Sequence, residues 1–251
     1  MLGIERRQHI VDKIKQDKKV YVSELSQLFN VTEETVRRDL EKLENENILR
    51  RSYGGAILSE QTGEDLSFLK RSTINSLGKE YIAEKAQPLI SEGDTIMVDS
   101  STTCLSLLRR LKGLKNITII TNSIRLAYDF SSSDFRIIST GGTLRPNSMA
   151  LTGAGTIKAL LGYYADIVLI SCKALDREKG LMESNEEEAA VKQIMLQQGR
   201  KALLLADSSK FDKTAFVKIC DLADIDTLVT DKAPGEAWDE TLAQKQVKLI
   251  H

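Results

Sequence analysis

The sequence predicts a chain of two unlike parts: a small, mainly α head over residues 1–58, and a larger α/β domain with a largely parallel sheet over residues 76–251. Three observations predict it. Apolar residues recur at helical spacing through the first 45 residues and give way to two short apolar runs around Tyr53-Gly54-Gly55. From about residue 76 onward, strand-like runs alternate with helical ones, the signature of parallel strands joined by right-handed crossovers. The 251 residues are 41% hydrophobic and 28% charged, within the globular range, which excludes a wholly disordered chain. That length suits one large domain or two small ones, and only 3 prolines exclude collagen-like and proline-rich chains.

In the head, Ile10, Val11 and Ile14 give a first helix one apolar face. Ser23 is the expected N-cap of a second short helix carrying Leu25, Leu28 and Phe29, and Asn30 suits the left-handed residue that ends it. Thr32 is the expected cap of a third helix. Val31 and Val36 have hydrophobic-staple spacing there, and Glu33 and Glu34 lie in the first turn. Val36, Leu40 and Leu43 recur at i, i+4 and i+7 and define the buried face. Glu34, Arg38, Glu41 and Asn45 then point away from it, with Thr35 and Arg37 on the flanks. After Asn47, the run Ile48–Leu58 reads as a β-hairpin.

Two helices joined by a few residues, the second projecting Thr and Arg near its start, have helix-turn-helix geometry, and a following hairpin makes a wing. Arg suits guanine edges and phosphates, and Thr suits phosphates or a thymine methyl. The candidate DNA contacts are Ser23, Thr32, Glu34, Thr35, Arg37 and Arg38, with Arg51 and Tyr53 beside Arg50 on the wing. The competing reading is a solvated amphipathic helix in which Glu34 and Arg38 form an ordinary i, i+4 ion pair. Charge does not decide between them. Residues 1–57 hold 11 Lys and Arg against 10 Asp and Glu, and the whole chain carries −1.

Residues 59–75 read as a linker with a possible short helix. Beyond it, strands are expected at Thr95–Asp99, Ile117–Thr121, Arg136–Ser139, Ile167–Ser171, Ala202–Ala206 and Thr227–Thr230. Helices are expected at Gly78–Ile90, Thr102–Leu111, Ser123–Phe130, Thr156–Leu161 and Glu186–Gln198. Polar loops follow several strands. After Asp99 comes Ser100-Ser101-Thr102-Thr103, whose hydroxyls and helix-start N–H groups could hold an anion. Its rival role is that Ser101 or Thr102 merely caps the helix. Thr121-Asn122-Ser123, Gly141-Gly142-Thr143 and Asp207-Ser208-Ser209-Lys210 repeat the arrangement, and open parallel sheets bind ligands outside these strand ends. Lys210 could meet a phosphate as a point charge, or be an ordinary surface lysine. Glu186-Glu187-Glu188 reads as solvated helix start, while Glu183 and Asn185 are better placed to face a polyol.

Other chemistries are disfavoured. His9 and His251 sit near opposite ends, which speaks against a Ser-His-Asp triad or a His-based metal centre, and no cofactor is expected. Cys104, Cys172 and Cys220 are widely spaced, as for reduced thiols. The longest apolar runs are far short of the roughly 18 residues of a membrane helix, and residues 1–7 contain no apolar signal core. The expectation is a soluble cytoplasmic protein without a membrane partner.

The run Arg6-x3-Ile10-x3-Ile14, then 17 residues, then Thr32-Glu33-Glu34-Thr35-Val36-Arg37-Arg38-Asp39-Leu40, closely resembles the DeoR family of bacterial transcriptional regulators. Tyr53-Gly54-Gly55-Ala56 adds to the likeness. The resemblance implies a winged helix-turn-helix whose Thr32–Asn45 helix reads the major groove. Further signatures carry it through nearly the whole chain: DSSTT (Asp99–Thr103), TNS (Thr121–Ser123), GGTLRPNS (Gly141–Ser148), the Gly180–Glu188 stretch and ADSSKF (Ala206–Phe211). They resemble the family's C-terminal sensor domain, similar in fold to ribose-5-phosphate isomerase and glucosamine-6-phosphate deaminase, which usually senses a phosphorylated sugar or related metabolite. One departure stands out. Many members carry a G-A-x-G stretch after the fourth strand, where this chain reads Ser171-Cys172-Lys173-Ala174-Leu175. Either Lys173 reaches the ligand or the pocket is reshaped.

The expectation is a sequence-specific repressor of a sugar-catabolic operon. Its partners would be double-stranded operator DNA, a phosphorylated sugar effector and further copies of itself, as a dimer or tetramer. The rival is a sugar-phosphate isomerase with an accessory DNA-binding domain. It would need a base such as Asp99, Glu183 or Asp207, and no paired-carboxylate loop stands out.

Overall fold

The computed structural model describes residues 2–17, 19–45, 48–58 and 65–251, apart from the side chains of Lys15 and Leu58. The chain divides into two compact units, residues 1–61 and 62–251.

The first unit runs α1 (Gly3–Asp17), β1 (Lys19–Tyr21), α2 (Val22–Phe29), α3 (Glu33–Asn45), β2 (Leu49–Ser52) and β3 (Gly55–Leu58). Ile10, Ile14, Val20, Leu25, Val36, Leu40, Leu43, Leu49 and Ala56 form its core. Asn30 closes α2 at φ 50 and ψ 51, in the left-handed region. The Thr35 N–H donates to Thr32 Oγ1 at 3.3 Å, capping the start of α3. Ser23 is not the N-cap of α2. Tyr21 holds that place, because β1 leads into the helix directly and leaves Ser23 inside the first turn. The expected two-stranded wing is a three-stranded sheet in the order β1-β3-β2. At Gly55 a Cβ would stand 2.1 Å from the Val20 carbonyl oxygen, so only glycine lets β1 pair there.

In the second unit, part of the expected linker is ordered protein: α4 (Phe68–Thr73) buries Phe68 in the core. Residues 59–64 of that expectation, including Gly63, lie outside the described residues. Then follow α5 (Ser76–Ala86), β4 (Thr95–Val98), α6 (Thr102–Arg110), β5 (Thr118–Thr121), α7 (Ile124–Asp129), β6 (Arg136–Ser139), β7 (Thr143–Arg145), β8 (Ala150–Thr152), α8 (Ala154–Leu160) and β9 (Ala165–Ile170). The chain continues through β10 (Ala174–Asp176), β11 (Gly180–Glu183), α9 (Glu186–Gln197), β12 (Gly199–Leu205), β13 (Val217–Cys220), β14 (Thr227–Val229), α10 (Glu236–Gln244) and β15 (Lys248–Ile250).

Seven strands form one sheet in the order β15-β14-β12-β9-β4-β5-β6, every pairing parallel. Both faces are covered. Met97, Val168, Ile170 and Leu204 pack on one side, while Ile96, Val98, Leu169, Leu203 and Leu205 pack on the other. This is why those strands read as continuous apolar runs. An antiparallel β10-β11-β13 sheet and the β7-β8 hairpin complete the unit.

Candidate functional site

Helix α3 presents its polar side as the spacing predicts. Arg37 and Arg38 are exposed and are engaged along the helix, Arg37 Nη2 with Glu33 Oε2 at 2.7 Å and Arg38 Nε with Glu34 Oε1 at 3.4 Å. The Thr32 and Thr35 hydroxyls lie 2.9 Å apart at its start. On the wing, Tyr53 is fully exposed at the hairpin tip. Arg51 is drawn back onto α3, donating its Nε to Glu44 Oε2 at 2.6 Å, while its N–H donates to Glu44 Oε1 at 2.8 Å. Behind this surface lies an ion pair that sequence reading missed: Arg6 Nε stands 2.5 Å from Asp39 Oδ2, both side chains buried, with Arg7 Nη1 3.4 Å from Asp39 Oδ1. Asp39 thus bolts α3 to α1 from inside. The signal was present, since Arg6 shares a helical row with Ile10 and Ile14.

In the second unit, the polar loops leave the carboxyl ends of neighbouring strands. Asp99, beyond β4, is 1% exposed. Its Oδ1 accepts the Ser101 N–H at 2.9 Å and its Oδ2 the Ser171 N–H at 3.0 Å, so one carboxylate ties the β4 loop to the β9 loop. Ser101 Oγ accepts the Cys104 N–H and caps α6, leaving Ser100, Thr102 and Thr103 buried at the helix start. Thr121 Oγ1 donates to the Val98 carbonyl. Asn122 Nδ2 donates to the Leu151 carbonyl, while its buried Oδ1 has no partner among the described residues. Gly141 and Gly142 have φ of 64 and 119, and a Cβ on Gly142 would meet Thr156 Oγ1 at 2.1 Å. Lys173 is half-buried in the β9 loop, and its N–H donates to the Met182 carbonyl.

The centre of this end of the sheet is a lysine that sequence reading missed. The Lys192 ammonium, from α9, is 2.5 Å from Glu183 Oε2, 3.3 Å from Asp99 Oδ2 and 2.8 Å from the Ser171 carbonyl. Burial favours the neutral forms of this cluster. The two carboxylates nevertheless hold the Lys192 ammonium well above the usual lysine range, and Lys192 in turn holds Glu183 below the usual carboxylate range. Asn185 uses its Oδ1 to accept the Glu188 N–H and cap α9. The acidic run is not wholly solvated as expected: Glu188 is buried and accepts from Arg145 Nη1 at 2.8 Å. Arg145 also meets Asp65 Oδ2 at 2.5 Å, fastening the start of the unit to β7.

Beside this centre stands Asp207, 2% exposed, whose Oδ1 accepts the Ser209 N–H. Burial would raise its pKa, but Lys210, the Ser209 donors and Lys79 outweigh it and hold Asp207 ionised below the usual range. The Ser208 N–H donates to Asp231 Oδ1 at 2.6 Å. Lys79 of α5 is buried and held by the Arg71 and Ile74 carbonyls. Burial, with Lys210 and Arg71 nearby, brings it down to about 8 against the pull of Asp207. Cys172, whose thiol burial pushes up, lies where both centres are felt, namely Lys192 with Glu183 and Lys210 with Asp207. Among the described residues, no group of His, Cys, Asp and Glu is placed to hold a metal, and no helix is long and apolar enough to cross a membrane.

Residues 6–62 match the DeoR-like helix-turn-helix domain, and residues 74–232 match the DeoR C terminal sensor domain. The chain is 38% identical over 250 residues to the uncharacterized HTH-type transcriptional regulator YulB of Bacillus subtilis (strain 168), covering 99% of this chain and 96% of the other. It is 35% identical over 247 residues to the HTH-type transcriptional repressor GlcR of the same organism, covering 98% and 95%. Among solved structures, ribose 5-phosphate isomerase A of Methanocaldococcus jannaschii is similar at a TM-score of 0.42 and 16% identity, over 55% of each chain. Helix-turn-helix head, parallel-sheet sensor domain and end-to-end relatives agree: this chain belongs to the DeoR family of transcriptional regulators.

Proposed function

We propose that this protein represses a sugar-catabolic operon and releases it when a phosphorylated sugar occupies the sensor domain. The observation that carries this reading is the convergence of the helix start after β4, the turn after β12 and α5: Thr102 Oγ1 and the Lys79 ammonium share the Arg71 carbonyl, and Lys79 and Lys210 both act on Asp207. Helix-start N–H groups and paired ammonium groups suit a phosphate, and the hydroxyls around them suit a polyol. A dimer or tetramer would set two α3 helices on spaced half-sites, with Thr32, Thr35, Arg37 and Arg38 towards the groove, and Tyr53 along the backbone. Differential affinity of the effector for DNA-competent and incompetent forms would move the equilibrium, each tenfold being worth about 1.4 kcal/mol.

The isomerase alternative is disfavoured by the carboxylates themselves. Asp99 already accepts two backbone N–H groups, Glu183 is committed to Lys192, and Asp207 is held ionised by Lys210. Glu183 and Asp207, pulled below the usual carboxylate range, are weak bases, whereas a working general base has its pKa near the operating pH.

Fluorescence anisotropy on duplexes from the protein's own promoter region tests the reading. Binding should be specific and should weaken on addition of one member of a panel of pentose and hexose phosphates. Lys210→Ala and Thr102→Val should keep DNA binding and blunt that response. Isomerase turnover at ordinary enzyme rates, or indifference to every such duplex, would overturn it.

A further inference from the structure

The wing strand β2 carries two arginines, and the period of two along a strand sends them to opposite faces. Leu49 is buried in the core of the first unit, so Arg51, two residues on, lies on the core-facing side, while Arg50 and Ser52 lie exposed on the other. Arg51 uses its side to reach α3. One carboxylate, that of Glu44 near the end of the helix, takes both the Arg51 N–H at 2.8 Å and its Nε at 2.6 Å. A backbone donor and a side-chain donor on one carboxylate fix the strand itself, not merely a side chain. Two further ties frame the hairpin. At its root the Ile48 N–H donates to the Leu43 carbonyl at 3.0 Å, and at its tip the Gly54 carbonyl accepts the N–H of Val22, the first residue of α2, at 2.9 Å. The wing is thus held to both helices of the helix-turn-helix, and Tyr53 is held out at the tip, fully exposed. The Arg51 and Glu44 side chains are themselves partly exposed. Such a pair adds little stability, so what it supplies is the place of the wing.

We propose that Glu44 and Arg51 are positioning residues for DNA binding, and that Arg50, on the opposite face of β2, makes the wing's phosphate contact beside Tyr53. A phosphate approaching Arg51 would have to displace the Glu44 carboxylate, and like charges brought together oppose it. Arg50 shares its face of the strand with Ser52 and leads towards the tip without that obstacle. The assignment reverses the expectation that Arg51 itself grips the duplex. It rests on the wing reading above and names which of the two cations meets the backbone.

Fluorescence anisotropy with the full chain tests it, on a duplex from its own promoter region and on a random duplex, across about 50–200 mM salt. Each phosphate contact adds about 0.9 to the salt slope on B-form DNA, whatever the sequence. Arg50→Ala should therefore lower the slope by about that amount on both duplexes. Arg51→Ala should keep the wild-type slope yet weaken promoter binding by roughly threefold or more, the scale on which residues in contact couple. Glu44→Gln should weaken it likewise, and the double variant no further than either alone. All should keep the wild-type melting transition; if Arg51→Ala loses it, Glu44→Gln carries the comparison. The sign for Glu44→Gln decides most, because releasing an arginine that grips phosphate would tighten binding. Tighter or unchanged binding in Glu44→Gln, or a slope lowered by Arg51→Ala, would overturn the positioning role. An undiminished slope in Arg50→Ala would overturn the contact. Failure of the wild type to bind either duplex would instead sink the DNA-binding reading, and this inference with it.

Discussion

The Lys192 ammonium stands 2.5 Å from Glu183 Oε2, a contact between α9 and β11 sealed from solvent. Asp99 shares the same ammonium, and its two oxygens hold the β4 and β9 loops in register. A buried ion pair is no guarantee of net stability, but removing one member strands the others.

Lys192→Met should therefore destabilise the sensor domain by about 3–5 kcal/mol at neutral pH. The pH dependence has a definite sign. Lys192 holds Glu183 below its ordinary value, so this contribution is complete above about 4.3 and is lost as pH falls below that through the depressed value. The gap between wild type and variant, read from urea midpoints, should narrow in acid. A gap that widens there would contradict the assignment.

Asp39→Asn should leave Arg6 buried without its carboxylate and cost the first unit about 3–5 kcal/mol. Among the described residues, the core of that unit is drawn from residues 10–56. Calorimetry should show its transition moving down while that of the sensor domain stays in place.

Arg38→Ala should separate recognition from folding. The side chain is 73% exposed and its Glu34 contact is an exposed i, i+4 pair, worth roughly 0.3–0.5 kcal/mol. Thermal stability should hardly change, whereas operator affinity should fall by about 1–3 kcal/mol if Arg38 reads a base edge. Loss on all sequences alike, with a shallower salt slope, would instead make it a phosphate contact.

Lys79 should give the sensor domain an alkaline signature. Burial, Lys210 and Arg71 lower it to about 8 although Asp207 opposes them. Between that value and the unfolded one of about 10.4, the unfolded chain binds more protons, so stability rises with pH. The urea-midpoint difference between wild type and Lys79→Met should shift in favour of the wild type across that window. A flat difference would place Lys79 in an ordinary environment.

The parallel strands were legible because burial on both faces turns Thr95–Val98 or Ala202–Leu205 into unbroken apolar runs. Helix α3 was legible because Val36, Leu40 and Leu43 keep the helical period. The three-residue strands β1 and β10 are too short to show a period of two, and β11 is buried at every position, so alternation cannot reveal it. The capping roles of Thr32, Ser101 and Asn185 are local chemistry within a few residues.

The sequence by itself determined the order of the two units, the covered parallel sheet, the helix-turn-helix and the polar loops at the strand ends. Only the tertiary structure decided which charges are interior. Lys79 shares a helical row with Ile82, Ala83 and Ala86, Lys192 with Glu188 and Met195, and Arg6 with Ile10 and Ile14. Periodicity marks each of these cations as facing inward, yet it cannot name the carboxylate or carbonyl that waits there. That partner lies outside the cation's own helix: Asp39 for Arg6, Glu183 and Asp99 for Lys192, and the Arg71 and Ile74 carbonyls for Lys79. A charge goes into a low-dielectric interior only where the fold delivers its counter-group.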